Sequence, residues 1–406
     1  MAGYQGRRRA VRPSRAHGHT HGHAHDHDAP ELDIARGPRL TVIGLLAVVA
    51  VAVVVGLVVL WPDQGRVDKV AHSLDFAAPG STFPHATVIR TNDCPSGQHT
   101  DGCGTLTVKV DGGGRARVPV GPDVLGSGLG PGDRVQLQQT PASDGRPASY
   151  SYFKTDRGSA LWLIAGLFAV VVLAVARLRG LLAMVGLGVG LVVIGGWMLP
   201  GLLSGHSPVL VGLVGSAAIL YVVLYLAHGV SLRTSAALLG TLGGLLVTAL
   251  LGVVSVTMTH LTGVADEGAG VLTSVAGELS FQGLMTCTIV IAGLGILNDV
   301  TITQASAVWE LRAAGPEQTR WQLWASAMRI GRDHIASTIY TIVFAYAGTA
   351  LMTLLVIELY DRPLVDLLGT EQIAEEVVRS LVSAIGLVLA VPLTTVVAAL
   401  TVPGPR

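Results

Sequence analysis

LTVIGLLAVVAVAVVVGLVVLW, residues 40–61, is a run without a single charged side chain. At about 22 residues it matches the length a helix needs to cross a hydrocarbon core of about 30 Å. In lipid each backbone N–H and C=O must find its partner within the protein, so such a run becomes a helix rather than an open strand. Seven further runs of this character follow, at 159–176, 181–199, 207–227, 235–254, 279–297, 335–357 and 381–400. The fold class expected is an all-α polytopic membrane protein of about eight transmembrane helices. Composition points the same way, because only 13 % of the 406 residues are charged and the mean hydropathy is +0.57. That is too little charge for an ordinary soluble surface. The first run follows a polar leader, residues 1–39, and ends in Trp61-Pro62-Asp63 without a small-residue cleavage site. It reads as a retained first helix rather than a signal peptide.

Orientation follows from arginine, since positive residues near helix ends stay on the cytoplasmic side. The leader holds Arg7, Arg8, Arg9, Arg12, Arg15, Arg36 and Arg39. Counting crossings from there places Arg177, Arg179, Arg233, Arg312, Arg320, Arg329 and Arg332 inside as well. The acidic residues Asp266, Glu267, Asp361, Asp366, Glu371, Glu375 and Glu376 fall in loops outside, where only Arg362 and Arg379 run against the bias. Both termini, including the tail 401–406, are then cytoplasmic, and the location implied is a bacterial cytoplasmic membrane.

Residues 62–157 form the one stretch long and polar enough for a folded domain outside the membrane. Alternating runs at 86–91, 105–110, 115–120, 134–139 and 149–154 are separated by Gly, Pro, Asp and Asn, the pattern of short strands and turns. Five strands in so short a stretch suggest a small β-rich barrel or sandwich, with an OB-like barrel among the options. Cys94 and Cys103 flank a turn-rich tip in the compartment where disulfides persist, and a bridge between them is expected. Cys287 lies in the sixth run, apart from both.

The leader places His17, His19, His21, His23, His25 and His27 at alternate positions. A flexible tract of imidazoles can gather around one Zn²⁺ or Ni²⁺. Without fixed geometry such a site would be unselective, and low-complexity drift explains the tract equally well. No other cofactor is expected.

The sixth run and its continuation hold one charged residue, Asp299, between Glu278 and Glu310. A carboxylate at the centre of a bilayer costs about 2.5–3.5 kcal/mol on insertion scales, so its ordinary reading is functional. Thr288, Ala292, Gly295, Asp299, Thr303 and Ser306 recur at three- and four-residue steps, a small and polar stripe suited to burial against another helix. The bland alternative is that Asn298 and Asp299 cap a helix at the cytoplasmic surface. The seventh run offers a matching set in Asp333, His334, Ser337, Thr338 and Thr341. Between the two, residues 310–332 read as an amphipathic inner loop lying at the interface. Glycine ladders at Gly186 and Gly190, and at Gly240, Gly244 and Gly252, mark close helix packing.

The segments Gly293-Leu294-Gly295-Ile296-Leu297-Asn298-Asp299-Val300-Thr301-Ile302-Thr303 and Gly331-Arg332-Asp333-His334-Ile335-Ala336-Ser337-Thr338 resemble the YibE/F family of bacterial membrane proteins. The likeness covers the last six runs, 181–400, and the module before them, and implies a multi-pass membrane protein without naming a substrate. A remoter resemblance, through Gly295 to Thr301 and Ser337 to Thr341, is to the SecF and RND-type six-helix core. It implies a helix bundle around a buried carboxylate.

Three functions compete at this point. The first is a permease-like or proton-coupled cell-envelope transport component using Asn298, Asp299, Thr303, Asp333, His334, Ser337, Thr338 and Thr341. The second is a membrane scaffold or assembly factor whose external domain binds a partner, and the third is divalent-metal export or sensing through the leader. No nucleophile and base pair or protease metal motif points to an enzyme. Expected partners are the lipid bilayer, a small solute or envelope protein, and a second copy of the chain; nothing points to nucleic acid.

Overall fold

The computed structural model describes residues 36–71, 73, 76–94, 102–142, 148–265, 267–359 and 363–405. In chain order α1 (Arg36–Val59) and a short α2 (Gln64–Ala71) precede β1 (His85–Asn92), β2 (Gly104–Val110), β3 (Arg115–Val120), α3 (Pro122–Gly126), β4 (Arg134–Thr140) and β5 (Ser149–Thr155). The membrane part follows as α4 (Gly158–Val193), a π-helical turn Ile194–Met198, α5 (Leu199–Leu203), α6 (Pro208–His228), α7 (Leu232–Met258), α8 (Glu267–Val275) and α9 (Phe281–Ala314). It ends in α10 (Arg320–Thr349), α11 (Leu351–Glu358), α12 (Leu364–Leu368) and α13 (Glu371–Thr401).

The five strands pair antiparallel in the order β3-β2-β1-β4-β5, and the edge strands β3 and β5 also touch. Register shifts in β1 and β4 supply the local bending that lets so short a sheet curl. Alternation in the sequence becomes an inside of Ala86, Val88, Leu106, Val108, Val118, Val135 and Leu137, all at most 2 % exposed. Cys94 and Cys103 are disulfide-bonded across the β1–β2 connection, with Cα atoms 4.9 Å apart. A bridge closing so short a loop typically contributes about 2–3 kcal/mol by limiting the unfolded chain.

Six helices among the described residues are long and apolar enough to cross a bilayer, and the bent pair α10 and α11 raises this to seven. Their outward faces carry large exposed apolar side chains such as Val58, Leu163, Val175, Leu250 and Leu355. Only lipid makes such a surface stable. The chain is therefore a multi-pass integral membrane protein. Helices α7, α9 and α13 pack most closely and form its centre. Glycine makes this possible: a Cβ on Gly240 would run into Thr394, one on Gly386 into Thr248, and one on Gly244 would sit 2.7 Å from Ala390. The first helix joins through two side-chain donors, Tyr221 Oη to Leu46 O at 2.7 Å and Trp197 Nε1 to Leu57 O at 3.2 Å.

Two expectations from sequence are corrected here. Residues 310–332 are not one separate loop. Instead α9 continues to Ala314, a short turn follows, and α10 starts at Arg320 behind a capping box of Thr319 and Gln322. Leu323, Ala327, Met328 and Gly331 are buried, while Arg320, Trp321, Arg329 and Arg332 are exposed, so this part of α10 is amphipathic with its apolar face against the bundle. The turn is held by Arg312, which is 1 % exposed and donates from Nη1 to Pro316 O at 3.2 Å and Gln318 O at 2.6 Å. The last long helix also begins ten residues before the apolar run, at Glu371. Glu371 Oε1 accepts hydrogen bonds from Thr262 N at 2.5 Å, Thr262 Oγ1 at 2.9 Å and Gly263 N at 3.4 Å, tying this helix end to the loop after α7.

Candidate functional site

The stripe that includes Asp299 lies on the open side of α9. Asp299, Thr303 and Gly295 are exposed, and a Cβ on Gly295 would meet nothing within 4 Å. Thr288, Ala292 and Ser306 of the same stripe are half-buried, so the small residues meet other helices toward its two ends and not around Asp299. The physical reason is competition between faces. Met285, Thr286, Ile289, Val290, Gly293, Leu297, Val300 and Gln304 are buried on the helix that packs most closely with α7 and α13, and α6 and α10 cover other parts of it, which leaves Gly295, Asp299 and Thr303 open. Near it, at the end of α6, the His228 imidazole lies within electrostatic reach of Asp299, Arg179 and Arg233. Asn298 is half-buried, and its Oδ1 is buried with no hydrogen-bond partner among the described residues.

On α10, Asp333, Ser337 and Thr341 are exposed, while His334 and Thr338 are half-buried. Gln304 of α9 bonds to Ala327 O and abuts Gly331. Three- and four-residue steps from these two positions lead to His334, Thr338 and Thr341, so this row follows the α9 side of the helix. Asp333 falls off the row. The His334 Nε2 is buried without a hydrogen-bond partner among the described residues. The hydroxyls of Thr338 and Thr341 donate to their own helix, at His334 O (2.8 Å) and Ser337 O (3.3 Å). Their protons are thereby engaged within the helix, which leaves these hydroxyls only lone pairs to offer another group.

The polar groups that are enclosed lie elsewhere. Thr241 and Thr301 hydroxyls meet at 2.5 Å between α7 and α9, and Gln304 Nε2 donates to Thr395 Oγ1 at 2.8 Å and to Ala327 O at 3.0 Å. Thr241, Thr248, Thr394 and Thr395 each also bond to the carbonyl four residues back. Such contacts join helices in a low-dielectric core, and their full pairing suits packing better than transfer of a proton.

A cavity of about 450 Å³ opens between α10, α11 and the first turns of α13, at the end of the bundle where Ala265 also lies. Tyr346, Gln372, Glu375, Glu376, Arg379 and Ser380 contribute to its wall. Glu375 is 8 % exposed. Glu376 Oε1 accepts from Arg379 Nη1 at 2.6 Å, and this pair is also largely covered. The second oxygen of Glu376 and Nε of Arg379 are buried with no hydrogen-bond partner among the described residues. An acceptor and a donor are thus held ready beside an open cavity. Sequence reading missed this site because it assigned Glu375, Glu376 and Arg379 to a loop. The signal was present in their spacing, since Glu376 and Arg379 stand three apart and pair along one helix face.

The histidines of the leader, His17 to His27, lie outside the described residues. Among the described residues no group of three or more His, Cys, Asp or Glu is placed to hold a metal ion.

Comparison with known proteins bears on the bundle rather than on the β domain. No curated protein and no solved structure matches the chain. The YibE/F-like protein family matches residues 164–404, which takes in every membrane helix from α4 onward and more than half of the sequence. With the Asn298-Asp299 helix and the Asp333-His334 helix both inside that match, the chain belongs to the YibE/F-like protein family.

Proposed function

We propose that the protein is a permease-like component of the bacterial cell envelope that moves a small solute or ion and couples this to protons. The observation that carries the reading is the cavity between α10 and α13, where Glu375 and the Glu376–Arg379 pair are sheltered by an otherwise apolar bundle. Carboxylates and guanidinium groups are costly to keep in a membrane helix bundle, and a protein that retains them beside a cavity gains a place to bind a charged or polar solute. Asp299, on the open face of α9 near the opposite end of α6, supplies a second titratable position. No catalytic step and no cofactor enters this proposal.

The same reading assigns eight crossings, with the run 158–203 crossing twice about Arg177, both termini in the cytoplasm, and the β domain outside. The β domain is taken as OB-like: with β3 beside β5 its strands close in the order β1-β2-β3-β5-β4, and α3 lies between β3 and β4.

The test is complementation of the growth defect caused by deleting the gene, which needs no knowledge of the substrate. Asp299→Asn and Glu375→Gln keep side-chain size but cannot exchange a proton. Each is expected to reach the membrane at normal levels and to lower complementation at least tenfold, whereas Glu310→Gln should be mild. If both neutral variants complement fully, proton coupling fails, and the scaffold reading, in which the open α9 face and the β domain bind a partner, takes its place.

A further inference from the structure

The β domain has a face that its own fold does not neutralise. Strands β1, β2 and β3 contain no Asp or Glu, yet Arg90, Lys109, Arg115 and Arg117 all stand exposed on them. Strand register gathers these cations on one side. Lys109 is directly opposite Arg115, and Arg117 is opposite Thr107, which is itself opposite Arg90. Partners across a ladder share a face, as do residues two apart in a strand. Among the described residues none of the four forms an ion pair, whereas the neighbouring Arg134 is paired with Asp111.

The position of this face relative to the membrane helix is also fixed by register. Strand β4 begins at Arg134 and β5 ends level with it, since Asp156 N donates to Arg134 O at 2.9 Å. Helix α4 starts at Gly158, within about 10 Å of chain from Thr155. Strands β1 and β2 continue past this level as far as the Asn92 and Thr105 pair. The cations therefore occupy the part of the sheet that begins where the chain turns into α4 and runs on beyond it.

We propose that this basic face docks on the anionic phospholipid headgroups of the leaflet that α4 enters, holding the β domain down on the bilayer. Arginine and lysine close to an anionic surface are each drawn to it, and the attraction fades over a Debye length of about 8 Å at physiological salt. Only a face carried this near to the membrane by its tether gains from it.

The experiment uses the full-length chain in nanodiscs. A fluorophore is attached at Pro119→Cys, on the same face two residues beyond Arg117, in a Cys287→Ser background, and quenching by headgroup-labelled lipid reports approach of the domain. Discs of phosphatidylcholine alone are compared with discs that also contain phosphatidylglycerol. Quenching is expected to be several-fold stronger with phosphatidylglycerol and to fall as salt is raised. Each of Lys109→Gln, Arg115→Gln and Arg117→Gln should lower the docked-to-undocked ratio by about fivefold. The salt series on the unsubstituted face gives the answer even if a variant folds poorly. Equal quenching in both disc types at low salt would overturn the proposal. So would a lipid effect that survives all three substitutions, or a response to added soluble polyphosphate with none to phosphatidylglycerol, which would assign the face to a free polyanion.

Discussion

Arg312 shows how one side chain can mean different things in a sequence and in a fold. Along the chain it is one more positive residue between two apolar runs, and it contributes to the orientation argument as such. In the structure it is among the largest fully buried side chains, and two carbonyls of the turn between α9 and α10 depend on it. Both bonds leave one nitrogen, Nη1, at the tip of the side chain, a point that the shorter stem of lysine does not reach from the same backbone position. Arg312→Met would leave Pro316 O and Gln318 O without this donor. The expected loss is about 1.5–3 kcal/mol, the range for hydrogen bonds from a charged group, read as a lower midpoint of thermal unfolding in detergent, and Arg312→Lys should recover only part of it. A midpoint unchanged in Arg312→Met would mean that the turn is held by its capping box alone.

At the scale of helices, length and apolarity were legible and the choice of face was not. A charge-free run of about 20 residues has few alternatives to crossing a bilayer, and the five strands stood within a residue or two of their sequence positions because alternation and turn residues agreed. The glycine ladders were also read correctly as packing signals, since Gly240 and Gly244 do meet α13. Helix α9 resisted such reading because it has two faces of small and polar residues. Thr286, Gly293 and Thr301 line the face that packs, and Gly295, Asp299 and Thr303 line the face left open. Composition cannot rank them, because the decision rests with the shapes of α7 and α13. The difference can be measured. Gly386→Ala should destabilise the bundle by about 1–3 kcal/mol through the collision with Thr248. Gly295→Ala should be neutral in the isolated chain, or stabilising by up to about 1 kcal/mol from helix propensity. If Gly295→Ala instead impairs folding as strongly as Gly386→Ala, the open face of α9 is covered by something in the membrane.

For the whole molecule the decisive region is 158–203, an apolar stretch of 46 residues. As one straight helix it would be roughly 70 Å long, more than twice the thickness of a hydrocarbon core. It is not straight. Arg177 has φ 51 and ψ −132, a conformation outside the helix, and a Cβ on Gly180 would lie 2.8 Å from Val172 O, eight residues earlier. The chain folds back on itself there, so residues on either side can each cross the membrane. Arg177 and Arg179 sit at that reversal, as arginines do on the cytoplasmic side. On the proposed topology, two crossings in this stretch put the reversal and the β domain on opposite sides of the bilayer, and every later loop follows in alternation. In a Cys287→Ser background, a cysteine replacing Arg179 or Arg320 should react with an impermeant maleimide only after the cells are opened, while one replacing Gly113 in the β2–β3 turn should react in intact cells. Labelling of the Arg179 position from outside would mean that 158–203 crosses once, and it would reverse the assigned sides of α6 through α13 relative to the β domain.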